Sequence, residues 1–159
     1  EEPFSIIDFG CGDSRVGIVL ALAFEKLQKV YAIDCNPFAF QAMERLIEKL
    51  PALQKEMARR KIVPISGNYE DTSFKERLDL KSDIALLACL PTLSKVLPAV
   101  VALCPSKTCI AYFPSSLEDP GSELAFRINT IAQPHGLYFQ FADEQQYWSD
   151  ASVAAFRTL

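Results

Sequence analysis

Phe4-Ser5-Ile6-Ile7-Asp8-Phe9-Gly10-Cys11-Gly12-Asp13-Ser14-Arg15 decides the fold of this 159-residue chain. Phe4 to Phe9 is a short apolar run closed by glycine, the pattern of a strand buried in a sheet. Ser14 offers a helix cap. The stretch from Arg15 to Leu27 predicts a helix that is apolar almost all round, as a helix packed on a sheet can be. Glycines between a strand and a helix let the chain turn tightly and leave its backbone bare. The helix start adds free N–H groups and the favourable end of a dipole. Such a loop can cradle the carboxylate or ribose side of a nucleotide-like ligand.

Outward from this stretch, strands and helices alternate. Lys29 to Asp34 reads as the second strand. Asn36-Pro37 opens a second helix, with proline suited to its first turn. Met43, Leu46, Ile47 and Leu50 follow the i, i+3, i+4, i+7 rule of an apolar helix face. Pro51 breaks or kinks this helix, and a further turn or two runs to Arg60. Lys61 to Ser66, Ser82 to Cys89 and Thr108 to Phe113 read as three more strands. Gly67 to Leu80 is polar and holds at most a short helix. Pro91 to Leu103 and Glu123 to Gln133 read as helices, with a turn at Pro120-Gly121. Leu137 to Ala142 and Ser152 to Leu159 read as two closing strands joined by the polar loop Asp143 to Asp150. Strand–helix alternation ending in two adjacent strands predicts an α/β, three-layer sandwich. Its seven-stranded sheet is mostly parallel with an antiparallel edge region. No repeat, linker or low-complexity segment interrupts residues 1–159, so one domain is expected. The chain starts at Glu1 rather than Met, which predicts that it is part of a longer chain.

Composition narrows the class. Half of the residues are hydrophobic, 23% are charged and the net charge is −4. This is a globular composition and not a disordered one. The acidic balance disfavours a basic nucleic-acid-binding surface, so a nucleic-acid partner is not indicated. Five cysteines, Cys11, Cys35, Cys89, Cys104 and Cys109, form no CxxC pair, and His135 is the single histidine. No metal site is expected from that inventory. The cysteines read as reduced core residues in a reducing compartment, hence a cytoplasmic location. No uncharged apolar run approaches the roughly 18 residues a membrane span needs.

Two further elements join the glycine loop. Asp34 ends the second strand, where a carboxylate accepts hydrogen bonds from ribose hydroxyls in doubly wound folds. Gly67-Asn68-Tyr69-Glu70-Asp71 follows the third strand. All three segments fall at the C-terminal ends of parallel strands, where ligands bind in this architecture. Arg15 stands where a dinucleotide G-x-G-x-x-G fingerprint needs glycine, which counts against NAD. Asp8 and Asp13 would repel a pyrophosphate but suit a cationic sulfonium ligand that carries an amino group. The plainer alternative is a tight turn at Gly10 and Gly12, with Asp34 capping the helix after Asn36.

Asp8-x-Gly10-x-Gly12 after a strand resembles motif I of the class I S-adenosylmethionine-dependent methyltransferases, a Rossmann-like family. Asp34 matches the family's ribose-binding acid. Gly67-Asn68-Tyr69-Glu70-Asp71 resembles its G-D-x-E-D segment, whose last acid contacts the adenine amino group. Cys89-Leu90-Pro91-Thr92 sits where motif IV would flank the transferred methyl group. The resemblance spans the chain and departs from the family at Ser14, often a third glycine, and at Asn68, commonly aspartate. It implies S-adenosylmethionine as methyl donor, held by Asp8, Gly10, Gly12, Asp34, Asn68, Asp71 and Cys89.

Methyl transfer from a sulfonium chiefly requires alignment of acceptor and methyl. A base is needed only when the acceptor must lose a proton, so no catalytic residue need be conspicuous. The N/D-P-P-Y signature of planar amino-group methylators is absent after the fourth strand. Cys104-Pro105 reverses the Pro-Cys of cytosine C5 methylators and reads as core. Gly12-Asp13-Ser14-Arg15 looks like the G-D-G-R of some protein-lysine methyltransferases, a lean toward a protein side chain. A protein or small-molecule acceptor is therefore favoured, with recognition segments on additional domains or a partner chain. Tyr112, Glu118 and Asp119 are candidates to line an acceptor pocket, and Tyr147 and Trp148 to cover it or plug it. His135 reads as a loop residue rather than a base. The alternative function is a methyltransferase-like module that binds or scaffolds without catalysis.

Overall fold

The computed structural model describes residues 2–68, 71, 84–88, 97–98, 100–102, 109–113, 130–131, 133–135, 137–142 and 153–158. The chain runs β1 (Phe4–Phe9), α1 (Arg15–Ala23), β2 (Leu27–Asp34), α2 (Pro37–Glu48), α3 (Ala52–Lys61) and β3 (Ile62–Ser66). Then come β4 (Ile84–Ala88), β5 (Cys109–Phe113), β6 (Leu137–Ala142) and β7 (Val153–Thr158). The sheet order is β3-β2-β1-β4-β5-β7-β6. β1 lies between β2 and β4, parallel to both, and β2–β3 and β4–β5 are also parallel pairs. β7 runs antiparallel to β5 and to β6.

β1 is central, and Ser5 to Phe9 are buried. Successive side chains alternate faces. Ile7 and Phe9, both fully buried, share one face. Ile6 and Asp8 share the other, where α1, α2 and α3 supply Ile18, Ala21, Met43, Ile47 and Ala58 to one core cluster with Val30, Ile62 and Leu86. Each large aliphatic side chain taken out of water here contributes about 1.5–3 kcal/mol before the entropy of ordering is subtracted.

Two sequence expectations change in this half. α1 ends at Ala23 instead of Leu27, because Leu27 pairs with Phe4 and is buried as the first residue of β2. α1 is also one-sided: Gly17, Ile18 and Ala21 are buried, whereas Val16 and Val19 are exposed. A single helix face is all that packs on a sheet, so hydrophobicity round the rest of the cylinder does not imply burial. α2 starts as expected, with Asn36 as cap, its side chain accepting from Phe38 N, and Pro37 in the first turn. On its apolar stripe Met43 and Ile47 are buried, and Leu46 and Leu50 pack against the cluster partly exposed.

α3 carries Lys61, a buried lysine. Its ammonium donates to the carbonyls of Ala21 (3.0 Å), Phe24 (2.8 Å) and Glu25 (3.3 Å) at the end of α1. A cation on the orphan carbonyls of a helix C-terminus satisfies them and opposes the dipole. Burial pushes the Lys61 ammonium below the usual lysine range. On the surface, Lys55–Glu48 (2.8 Å) and Arg59 with Glu44 (3.3 Å) and Glu48 link α3 to α2. Exposed pairs of this kind contribute little, ~0–1 kcal/mol each.

The other expected elements are only partly described. Residues 97–98 and 100–102 are helical within the expected Pro91–Leu103 helix, with Leu97 and Val100 buried. Residues 130–131 are helical, and Gln133–His135 form a 3₁₀ turn where the expected Glu123–Gln133 helix closes. The rest of those helices, the expected short helix within 67–80, and the loop 143–150 lie outside the described residues. Among the described residues no helix is long and apolar enough to cross a membrane.

Candidate functional site

The C-terminal ends of β1, β2 and β3 lie side by side, with Phe9 opposite Ile33 and Asp34 opposite Ser66. Their loops are stitched together by backbone hydrogen bonds. Gly10 N and Cys11 N both donate to Ile33 O, at 2.9 and 3.0 Å, and Gly67 N donates to Asp34 O at 3.1 Å. Gly10 (φ 67°) and Gly12 (φ 54°) take left-handed backbone angles that residues with a Cβ adopt at a cost. A Cβ built on Gly12 would meet nothing within 4 Å. The loop therefore presents bare backbone beside open space, room that a side chain would fill.

Asp34 holds this loop from the neighbouring strand. Its Oδ2 accepts from Gly12 N at 2.8 Å and its Oδ1 from Asn36 N at 2.8 Å. Asn36 itself caps α2, so Asp34 is a clamp across two loops rather than the helix cap. A carboxylate has about four acceptor positions. The two N–H groups leave acceptor capacity for hydroxyls of a ligand on the partly exposed Asp34.

Asp8 is 2% exposed at the end of β1. Burial, and then the nearby Asp34 carboxylate, raise its pKa to about 7. The half-buried Cys11 thiol is pushed well above the usual range by burial, Asp8 and Asp34. Its Sγ contacts Gly12 O at 3.6 Å. Cys35 is exposed, so the expectation of core cysteines fails there: it follows the clamp residue and leaves the sheet. Asp13 and Arg15 form a two-pronged surface pair with contacts of 2.5–3.1 Å. Asp13 Oδ1 also accepts from Arg15 N at 3.2 Å, and its carboxyl is held below the usual range by Arg15.

Ser14 departs from its expected role. It stands at the cap position but at φ 53°, ψ 26°, and its side chain makes no cap hydrogen bond. The left-handed angle turns its hydroxyl inward, where Oγ is buried with no hydrogen-bond partner among the described residues. A Cβ on Gly17 would lie 2.7 Å from Ser14 Oγ, 3.1 Å from Val30 Cγ1 and 3.8 Å from Asp8 Oδ2. Gly17 thus makes room for the Ser14 hydroxyl beside Val30, and the Asp8 carboxyl lies at ordinary contact distance from the same point.

Asn68 and Asp71 form an exposed turn after β3, with Asp71 N donating to Asn68 O at 3.1 Å. The structure therefore ties Gly10 and Gly12 to the end of β2 at Ile33 and Asp34, with Asp8 buried close enough to feel the Asp34 charge, and joins the loop leading to Asn68 and Asp71 to Asp34 through Gly67. Cys89, together with Tyr69, Glu70, Glu118, Asp119, Tyr147 and Trp148, lies outside the described residues. Tyr112 pairs with Leu87 and Ala154 within the sheet, and His135 sits in the 3₁₀ turn. Among the described residues no group of three or more His, Cys, Asp or Glu is placed to hold a metal ion. Sequence reasoning missed the Asp13–Arg15 pair and the inward Ser14. A serine at the third position of a glycine-rich turn was the available signal for the second.

No protein-family model matches the sequence, and no curated protein does. Solved structures do share its architecture. Trm5b from Pyrococcus abyssi superposes over 100% of this chain with a TM-score of 0.62 at 21% identity. TYW2 of M. jannaschii, solved in complex with AdoMet, does so over 100% with a TM-score of 0.65 at 18% identity. The M. jannaschii tRNA m1G37 methyltransferase matches over 98% with a TM-score of 0.64 at 16% identity. The fold is that of a class I methyltransferase. The chain spans 46%, 71% and 44% of these three proteins in turn. One of the three is, by its name, a tRNA methyltransferase, so the expectation that no nucleic-acid partner is indicated finds no support among them. The lean toward a protein side chain finds no support among them.

Proposed function

We propose that this chain is an S-adenosylmethionine-dependent methyltransferase domain whose donor site is the loop cluster at the ends of β1, β2 and β3. One observation carries the reading: a bare glycine loop is clamped through Gly12 N by a carboxylate on the next strand that keeps acceptor capacity. In this reading Gly10 and Gly12 give the donor's amino-acid portion access to backbone, and Asp34 receives the ribose hydroxyls. Asn68 and Asp71 flank the adenine, Asp8 sets the charge beneath the loop, and Cys89 borders the methyl group. When bound, S-adenosylmethionine supplies an electrophilic methyl on a good leaving group. The chain's own part is to orient the ligand on a preformed frame. The strands β6 and β7 complete the antiparallel edge of the sheet in the same reading.

The acceptor is a separate matter. RNA joins proteins and small molecules as a candidate class, on the strength of the tRNA methyltransferase with this fold. Calorimetric titration with S-adenosylmethionine, S-adenosylhomocysteine and NAD tests the donor. Binding of the first two without NAD is the expected result; binding of NAD alone overturns the reading. Transfer of labelled methyl into total RNA, a protein extract or a metabolite pool then assigns the acceptor class. Donor binding with no transfer into any of them would favour the non-catalytic module.

A further inference from the structure

Asp8 has an unusual setting for a carboxyl group. It is buried on a central strand, with β4 on one side contributing only the apolar Ile84–Ala88 in the described segment. β2 on the other side places the Asp34 carboxylate near it. From above, α1 presents Gly17 and the loop presents the uncharged Ser14 hydroxyl and the Cys11 thiol. The charged groups of the loop are Asp13 and Arg15, and the Arg15 guanidinium is engaged by Asp13 at the surface. Lys61, the buried cation, is bound to carbonyls at the opposite end of α1. Among the described residues, then, no cation is positioned to compensate a negative Asp8.

A cationic ligand on the glycine loop would be that compensation. We propose that Asp8 is a specificity-determining residue of the donor site, discriminating a sulfonium donor from its neutral thioether product by exchanging a proton against the donor's positive charge. The inference rests on the donor-site reading above. Docking of the sulfonium favours the carboxylate, so the Asp8 carboxyl releases its proton to solvent. On transfer a lone pair of the acceptor forms the new bond to the methyl carbon as the S–CH3 bond breaks, and the S–CH3 electron pair stays on sulfur, which loses its positive charge. Asp8 then takes a proton back from solvent, and the site no longer favours the charged form. The Asp8 pKa of about 7 puts this exchange within the neutral range.

The test is calorimetric titration of S-adenosylmethionine and S-adenosylhomocysteine from pH 6 to pH 8 in the native chain and in Asp8→Asn. Both proteins see the same titration of the ligand's own amino group, so their difference isolates Asp8. The expected result is a sulfonium-to-thioether affinity ratio that rises about three- to tenfold over this range in the native chain and beyond any rise in Asp8→Asn. A truncated pair without the amino-acid portion, methylthioadenosine and its S-methyl sulfonium, gives the same readout on the native chain alone. An affinity ratio with the same pH dependence in both proteins, or a flat ratio for the truncated pair, overturns the inference and leaves the donor site standing. Failure of both S-adenosyl ligands to bind the native chain at any pH overturns the inference together with the reading it rests on.

Discussion

The backbone N–H of Gly12 donates to Oδ2 of Asp34 at 2.8 Å, joining the loop after β1 to the end of β2. The same carboxylate reaches Asn36 N through its other oxygen. Loop shape and ligand recognition are therefore coupled in one side chain. Asp34→Ala is expected to weaken S-adenosylmethionine binding by about 1.5–3 kcal/mol, the range for hydrogen bonds to charged groups. Titration of a variant whose circular dichroism is unchanged checks this. Unaltered affinity would assign Asp34 to the frame alone.

Gly12→Ala separates backbone strain from steric block. The added methyl has open space around it but sits at φ 54°, so a stability loss of about 1 kcal/mol is expected. Binding should fall much further, because the methyl enters the space given to the ligand. A small midpoint loss with lost binding is the expected pair of results. Full affinity would place the ligand elsewhere.

Ser14→Gly is expected to stabilise the domain. It relieves a left-handed angle on a residue with a Cβ and removes a buried hydroxyl that has no partner among the described residues. A gain of about 1–2 kcal/mol follows from those two costs. Urea denaturation reads it directly, and a destabilised variant would show that the hydroxyl has a partner in solution.

Lys61→Met is expected to cost about 1–3 kcal/mol, because the carbonyls of Ala21, Phe24 and Glu25 lose their common donor. Donor affinity should stay unchanged, since these carbonyls close the end of α1 remote from the glycine loop. A thermal melt and a ligand titration on the same sample distinguish the two effects.

The contribution of Asp8 to stability should fall as pH rises from about 4 to about 7. Asp8 binds its proton more tightly in the folded chain, at about 7, than the ordinary 3.8 of the unfolded chain. The contribution is complete below about pH 4 and is lost progressively up to about pH 7, at about 1.4 kcal/mol per unit of difference. Asp8→Asn should therefore be the more stable protein at pH 8, by up to about 4 kcal/mol, with the gap closing in acid. A constant gap across that range would show that Asp8 titrates normally.

The glycine loop, Asp34 and the alternation of strands were legible in sequence because each depends on a local pattern. The end of α1 was not, because Phe4 recruits Leu27 across the sheet, and nothing within residues 15–27 announces it. The clamp on Gly12 was hidden for a related reason: a ribose-type acid and a backbone-holding acid have the same letter at the same place. Lys61 read as the first residue of a strand. Its true role needs the carbonyls of a helix far back along the chain. Ser14 misled because serine before a helix ordinarily caps it, and only the backbone angle set by the turn sends its hydroxyl inward.

The Lys61 ammonium has a kinetic meaning as well. Its three bonds span sequence separations of 40, 37 and 36 residues. They close a circuit through α1, β2, α2 and α3, and none can form until α3 has docked. Ordering so long a loop must precede the reward, which ties these elements into one cooperative unit. Amide protons near the end of α1 and in β2 should therefore exchange together, through a single opening of the first 66 residues, rather than by fraying of α1 alone.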